Sequence, residues 1–348
     1  MNVTRIGLDL AKNVFQVHGV DRNERVLVRR CLSRAQVEVF FGNLPPCLIG
    51  MEACGSAHHW ARLLQRQGHT VRLMAPQFVK PYIKNQKNDA NDAEGICEAV
   101  GRPNMRFVAI KSVEQQDMQA LHRIRSERIR QRTATANQIR GLLGEYGIVI
   151  AKGINQLRRA LPRIIEERDN MLSVALRQLV EDARQDLARL DSRIKELDSH
   201  IERIAREDEA SRRLQTIPGI GPITATALVA DLGDARQFRR SRELPAFLGI
   251  VPRQHSSGGK ERLLGISKQG DRYLRTLLIH GARSVLRTAR KKGDPRSRWV
   301  IGVGDRRHEN IAAVALANKN ARIAWALLSR GGVYDSEHGY RIATTQPL

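Results

Sequence analysis

The chain has 348 residues, enough for two or three domains and a sizeable core. Its 59 Lys and Arg outnumber 36 Asp and Glu, a net charge of +23 that calls for a polyanion, most simply nucleic acid. Aromatics are only 4% of residues, which excludes a ladder of stacking rings along a single strand and favours phosphate contacts by Arg and Lys.

The first hundred residues read as α/β. Residues 5–10, 14–20 and 25–30 are short and rich in Val, Ile and Leu, and Gly19, Asp21 and Asn23 punctuate them, predicting a three-strand meander. A helix follows over 35–43, a buried strand over 47–52, a helix over 60–67 ended by Gly68, a strand over 70–74, and a helix over 91–100 ended by Gly101. The order β-β-β-α-β-α-β-α is that of an RNase H-like fold over residues 1–110.

Residues 111–210 read as helical. One long helix over 114–143 is crowded with arginines, of which Arg123, Arg125, Arg128, Arg130 and Arg132 are candidate nucleic-acid contacts; solvated surface cations are the plainer alternative. A second, over 172–204, repeats apolar residues in steps of three and four with one stutter at Ala183, a seam that predicts a coiled coil, within the chain or between subunits. Residues 211–335 form a mainly α C-terminal domain. It opens on Ile217-Pro218-Gly219-Ile220-Gly221-Pro222, a helix–hairpin–helix pattern in which Gly219 and Gly221 would let backbone N–H groups approach a phosphate. Helices are expected over 273–290 and 312–328, and residues 336–348 read as a loose tail.

Cys31, Cys47, Cys54 and Cys97 form no C-x-x-C pair, so neither a zinc site nor a disulfide frame is expected. With no signal-peptide pattern and no apolar run of about 18 residues, the expected setting is cytoplasmic, nucleoid-associated and away from membranes.

Two groups of residues carry chemistry. Asp9 sits among Ile6, Leu8 and Leu10, and Glu52 ends the apolar run Leu48-Ile49-Gly50-Met51. Asp89 and Asp92 lie three apart at a helix start, on one face. In the expected fold these four carboxylates converge, and divalent cations would relieve their mutual repulsion. Singly, each has a plainer role, such as Asp89 capping a helix. An actin-like phosphate loop is discounted, because Asp9-Leu10-Ala11-Lys12 lacks the Gly and Thr or Ser it needs. The second group is Ser256-Ser257 in a stretch of Gly, Lys and Arg that includes Arg253, Lys260, Ser267 and Lys268; on its own it reads as a phosphate-contacting loop, or as a nucleophile with cations around it.

The blocks Ile6-Gly7-Leu8-Asp9-Leu10-Ala11-Lys12, Gly50-Met51-Glu52-Ala53-Cys54-Gly55 and Lys87-Asn88-Asp89-Ala90-Asn91-Asp92-Ala93 resemble the N-terminal domain of the IS110/IS1111 family of insertion-sequence transposases. Cys54 stands where many members have Thr. The resemblance implies a RuvC-like domain whose Asp-Glu-Asp-Asp set is Asp9, Glu52, Asp89 and Asp92, holding Mg2+, with two ions expected. Residues 217–221, 249–258 and 267–275 resemble the family's C-terminal domain, which carries a nucleophilic serine before a Gly and shortly after Pro-Arg. That pattern selects Ser257, with Ser256 a near rival and Ser267 a distant one. The implied function is Mg2+-dependent, RNA-guided cleavage and rejoining of double-stranded DNA through a phosphoserine link. Joining two duplexes calls for a dimer or tetramer, and the distance of Ser257 from the carboxylates in sequence leaves open a site completed within one chain or across subunits. A junction-cleaving nuclease using water, or a non-catalytic DNA- or RNA-binding protein, are the alternatives.

Overall fold

The computed structural model describes residues 2–84 and 88–337, so Lys87 and residues 338–348 of the expected tail lie outside the described residues. The chain divides into two compact units, Met1–Val113 and Glu114–Leu348, the second spanning both the helical middle and the C-terminal region.

In the first unit, β1 (Arg5–Leu10), β2 (Val14–Val20) and β3 (Val26–Ser33) form the meander, followed by α1 (Arg34–Gly42), β4 (Leu48–Glu52), α2 (Ala57–Arg66) and β5 (Thr70–Met74). Then come α3 (Pro76–Val79), a 3-10 turn (Lys80–Tyr82), α4 (Asp89–Val100) and a two-residue strand β6 (Phe107–Val108). The sheet order is β3-β2-β1-β4-β5-β6, with β4 parallel to β1, β5 parallel to β4, and the outer pairs antiparallel. This mixed order is compatible with an RNase H-like fold. The short α3 and β6 are additions to the expected order.

Side chains alternate across a strand. Ile6 and Leu8 of β1 and Ile49 and Met51 of β4 face a core closed by Val37 and Phe41 of α1 and Trp60 and Leu64 of α2. The opposite face carries Gly7 and Gly50, and there α4 lies close. A Cβ on Gly7 would collide with the Ala93 carbonyl, and one on Gly50 would come within 2.6 Å of the Val100 side chain. The centres of the two strands, residues 6–8 and 49–51, are buried on both faces and thus read as apolar runs broken by glycine, with Asp9 and Glu52 just beyond them.

In the second unit, α5 (Val113–Gly144), α6 (Ile154–Glu166) and α7 (Val174–Glu207) precede α8 (Glu209–Gln215), α9 (Pro222–Leu232) and α10 (Glu243–Phe247). A hairpin of β7 (Pro252–Gln254) and β8 (Leu263–Ile266) follows, then α11 (Arg272–Ala289), α12 (Pro295–Arg306) and α13 (Glu309–Arg330). The α6 helix, the hairpin and α12 add to the expected elements. Helices α5 and α7 run antiparallel. Arg125 pairs with Asp198, and seven residues on, Arg132 pairs with Asp191 at 3.3 Å; Arg158 of α6 reaches the same Asp191 at 2.5 Å. Ile139 and Leu143 of α5 pack with Leu157 and Leu161 of α6 and Leu176 and Val180 of α7. The seam of α7 corrects one expectation. Leu179 is 60% exposed and Val180 is fully buried in its place. A step of four after Leu176 keeps the stripe turned toward α6 where three helices, not two, share the core.

Candidate active site

The register of β1 and β4 pairs Leu8 with Met51, so Asp9 and Glu52 are the next residues on neighbouring parallel strands. By alternation both project to the Gly7/Gly50 face, toward α4. That helix starts where Asn88 caps it, its side chain accepting from the Asn91 N–H at 2.8 Å. The cap is therefore Asn88 and not Asp89, and both aspartates fall in the first turn, where the helix dipole favours negative charge. Glycines at positions 7 and 50 let this helix sit near enough for its first-turn carboxylates to meet Asp9.

Asp9, Asp89 and Asp92 each offer a carboxylate oxygen within 4.8 Å of the others. Glu52 is not within that trio, but it and Asp9 both act on the thiol of Cys54. Burial first, then the charges of Glu52 and Asp9, push that thiol up from its ordinary range. Asp92 is buried, and its Oδ1 has no hydrogen-bond partner. A buried carboxylate oxygen left alone is costly. A divalent cation among the three oxygens would satisfy it, and the all-oxygen donor set suits a hard ion such as Mg2+ or Mn2+.

The serine segment lies in the second unit. Ser257 and Lys260 bridge across a two-residue turn, with the Lys260 N–H donating to the Ser257 carbonyl at 3.0 Å. Gly258 and Gly259 both have positive φ, +55° and +74°, the requirement of a tight hairpin turn. Ser256 and Ser257 are thereby separated in role. The Ser256 Oγ accepts from the Arg262 N–H at 3.1 Å and from Gln254 Nε2 at 3.0 Å, holding the hairpin ends. The Ser257 side chain is exposed at the tip. Ser267 Oγ is buried at the hairpin base, away from the tip. Arg253 and Lys260 are exposed along the hairpin, and Lys268 holds a left-handed backbone, φ +56°, beyond it.

The glycines of the expected helix–hairpin–helix differ from each other. Gly219, φ +94°, packs against the backbone of Gly281 in α11, so its lack of a side chain serves close packing. Gly221 is exposed at the N-terminus of α9, with open space beside it. The α5 arginines also divide. Arg125 and Arg132 are committed to Asp198 and Asp191, Arg130 to Glu127, and Arg128 donates to Gln131, while Arg123 is exposed.

A buried polar network escaped the sequence reading. The His122 ring on α5 lies 3.1 Å from Tyr273 Oη and 3.0 Å from Thr226 Oγ1. Thr226 spends its proton on the Pro222 carbonyl, so its oxygen accepts from His122 Nε2–H, and Tyr273 donates to Nδ1. Burial first, then the Arg125 charge, lower His122 to about 4. A lone His in an amphipathic arginine-rich helix gives no sign of this in the sequence.

Residues 6–148 match the transposase family of the IS110 Asp-Glu-Asp-Asp type, and residues 211–301 match the family described as Transposase IS116/IS110/IS902. The chain is 56% identical over 335 residues to the "Probable family 20 transposase" of Pseudomonas aeruginosa, covering 96% of this chain and 99% of that protein. It is 46% identical over 329 residues to the transposase for insertion sequence element IS1111A of Coxiella burnetii, covering 94% and 90%. It is 43% identical over 333 residues to the transposase for insertion sequence element IS1328 of Yersinia enterocolitica, covering 96% and 99%. A domain of this type implies a divalent metal, and the cluster of Asp9, Asp89 and Asp92 fits one. Among the described residues no helix is long and apolar enough to cross a membrane. By these matches, at both ends and over nearly its whole length, the chain belongs to the IS110/IS1111 family of insertion-sequence transposases and is an enzyme.

Proposed function

We propose that this transposase cleaves and rejoins double-stranded DNA through a covalent phosphoserine link, with Asp9, Glu52, Asp89 and Asp92 as the Mg2+ ligands of an RuvC-like domain and Ser257 as the nucleophile. The observation that carries this reading is the convergence of Asp9, Asp89 and Asp92, with Asp92 buried and one of its oxygens lacking a hydrogen-bond partner. Two Mg2+ ions, when bound, would stabilise charge on the attacking and leaving oxygens of the scissile phosphate. The Ser257 Oγ–P bond forms as the P–O bond of the strand breaks; the hydroxyl proton is lost and the leaving oxygen gains one. The phosphoserine keeps the bond energy, so rejoining needs no ATP. Its exposed place on a glycine turn supports this role, since a serine meeting a phosphate inside a DNA complex must project from its own fold.

Further parts of the reading concern partners. Gly221 and the free N–H groups at the start of α9 offer a phosphate site of helix–hairpin–helix type. The antiparallel α5–α7 pair is read as a coiled coil, and its exposed cations, Arg123 foremost, as the contact for a structured guide RNA. Joining two duplexes implies a dimer or tetramer in a bacterial cytoplasm. A denaturing gel tests the chemistry, using purified protein, Mg2+, the element's flanking RNA and labelled junction DNA. A protein–DNA adduct in wild type, absent from Ser257→Ala and from Asp9→Asn, is expected. Cleavage without an adduct would replace the serine by water and the recombinase by a nuclease.

A further inference from the structure

The second unit holds a groove of about 1090 Å3, larger than most small-molecule clefts, which run to roughly 1,000 Å3. One face of α13, with Ile311, Ala315, Asn318 and Arg322 recurring every three or four residues, forms its floor. Trp299 of α12 forms one wall, and Pro252 and residues 264–266, the base of the β7–β8 hairpin, form another. Ile311 is 52% exposed and Trp299 38%, a large apolar surface for the outside of a protein.

The charges around this apolar floor have one sign. Lys319, Arg322 and Arg330 line the groove, and none of its described lining residues is Asp or Glu. Lys319 Nζ sits 4.6 Å from the Trp299 ring centroid. Neither Lys319 nor Arg322 has an ion-pair partner among the described residues. Burial first, then Arg296 and Arg322, hold the Lys319 ammonium below the ordinary lysine range. Lys319 and Arg322, two cations without an ion-pair partner among the described residues, beside an apolar wall with an exposed indole are complementary to an anion that also has flat apolar faces. A second copy of the chain, itself at +23, is a poor match in charge.

We propose that this groove receives a short unpaired stretch of DNA, its bases against Trp299 and Ile311 and its phosphates on Lys319 and Arg322. This rests on the strand-exchange reading, because exchange requires unpaired bases beside the cut, and the same hairpin that forms the groove wall carries Ser257 at its tip. One exposed tryptophan, Trp299, takes the place of the ring ladder that the composition excludes, since Trp325 in the same lining is buried.

The test is fluorescence anisotropy with the full-length protein in chelator, where no cleavage occurs, on a short labelled single-stranded DNA, with duplex and RNA of the same sequence as competitors. Trp299→Leu and the exposed Arg322→Glu are each expected to weaken single-stranded DNA by about tenfold, the worth of one stacked base or one strong phosphate contact, and duplex by less than about twofold. A melting curve for each variant confirms that it folds, and the surface substitution at Arg322 keeps the test valid if Trp299→Leu does not. Unchanged single-strand affinity overturns the proposal. So does a loss confined to RNA, or a change in sedimenting mass with strand affinity intact, which would give the groove to a second subunit. The chelator separates this result from the adduct assay: failure of the serine chemistry would leave groove binding measurable, and failure of groove binding would leave the adduct.

Discussion

At the residue scale, Ser256 and Ser257 are adjacent in sequence and opposite in structure. The Ser256 hydroxyl is engaged with Arg262 and Gln254, while Ser257 is offered to solvent. Ser256→Ala should therefore lose about 1 kcal/mol of local hairpin stability and keep adduct formation within a few fold, whereas Ser257→Ala should abolish the adduct. An adduct lost in Ser256→Ala and kept in Ser257→Ala would reverse the assignment. For Asp92, replacement by Asn removes the charge but leaves the size. Calorimetric Mn2+ affinity should drop by about tenfold or more, and the variant should tolerate chelator better than wild type, because its buried oxygen no longer needs a cation. The convergence of Asp9 with Asp89 and Asp92 was legible in the sequence because a carboxylate inside an apolar strand is anomalous. The hairpin around Ser257 was not, since its exposed residues 252–260 carry no apolar alternation to mark strands.

At the element scale, the position of α4 depends on two missing side chains. Gly7→Ala would push the helix from the sheet by forcing its new methyl into the Ala93 backbone. Overpacking of this kind costs about 1–3 kcal/mol, and here it should also weaken Mn2+ binding, since Asp89 and Asp92 ride on the displaced turn. A second element, α5, is tied to α9 and α11 by the neutral ring of His122. In the unfolded chain this histidine takes a proton below about 6.5. In the folded chain it resists protonation down to about 4. Stability is therefore fully present above pH 6.5 and falls as pH drops from 6.5 toward 4, by up to about 3 kcal/mol. Urea midpoints at the two ends of that window should move further apart for wild type than for His122→Gln, and equal shifts would show that the ring contributes nothing. The α7 seam shows why helices are easier to read than their registers. Leu179 and Val180 are both apolar, and only the third helix, α6, decides which one is buried. Helix α12 was missed for a related reason, as Pro295, Gly302 and Gly304 obscure its period.

At the scale of the whole molecule, each internal ion pair cancels one cation against one anion, so pairing leaves the net charge of +23 undiminished and a polyanion is its natural complement. Affinity for duplex DNA should accordingly fall by about a thousandfold between 50 and 200 mM salt, as it does when six or more phosphates are neutralised. Charge reversal at Arg123 should weaken RNA binding without unfolding the protein. Reversal at Arg132 should instead lower the melting temperature, because it places two carboxylates against each other at Asp191. A flat salt response would show that the excess charge serves solubility alone.

The α5–α7 pair has one more consequence. A helix of 32 residues is about 48 Å long, the rise of about 14 base pairs of DNA. Rungs of charge seven residues apart keep its partner from sliding along it. Any two nucleic-acid contacts made at opposite ends of this pair would be held at a fixed spacing, as by a ruler. Seven residues added to each helix would extend it by about 10 Å, and footprints on bound nucleic acid would lengthen by about three base pairs while the rungs stay in step.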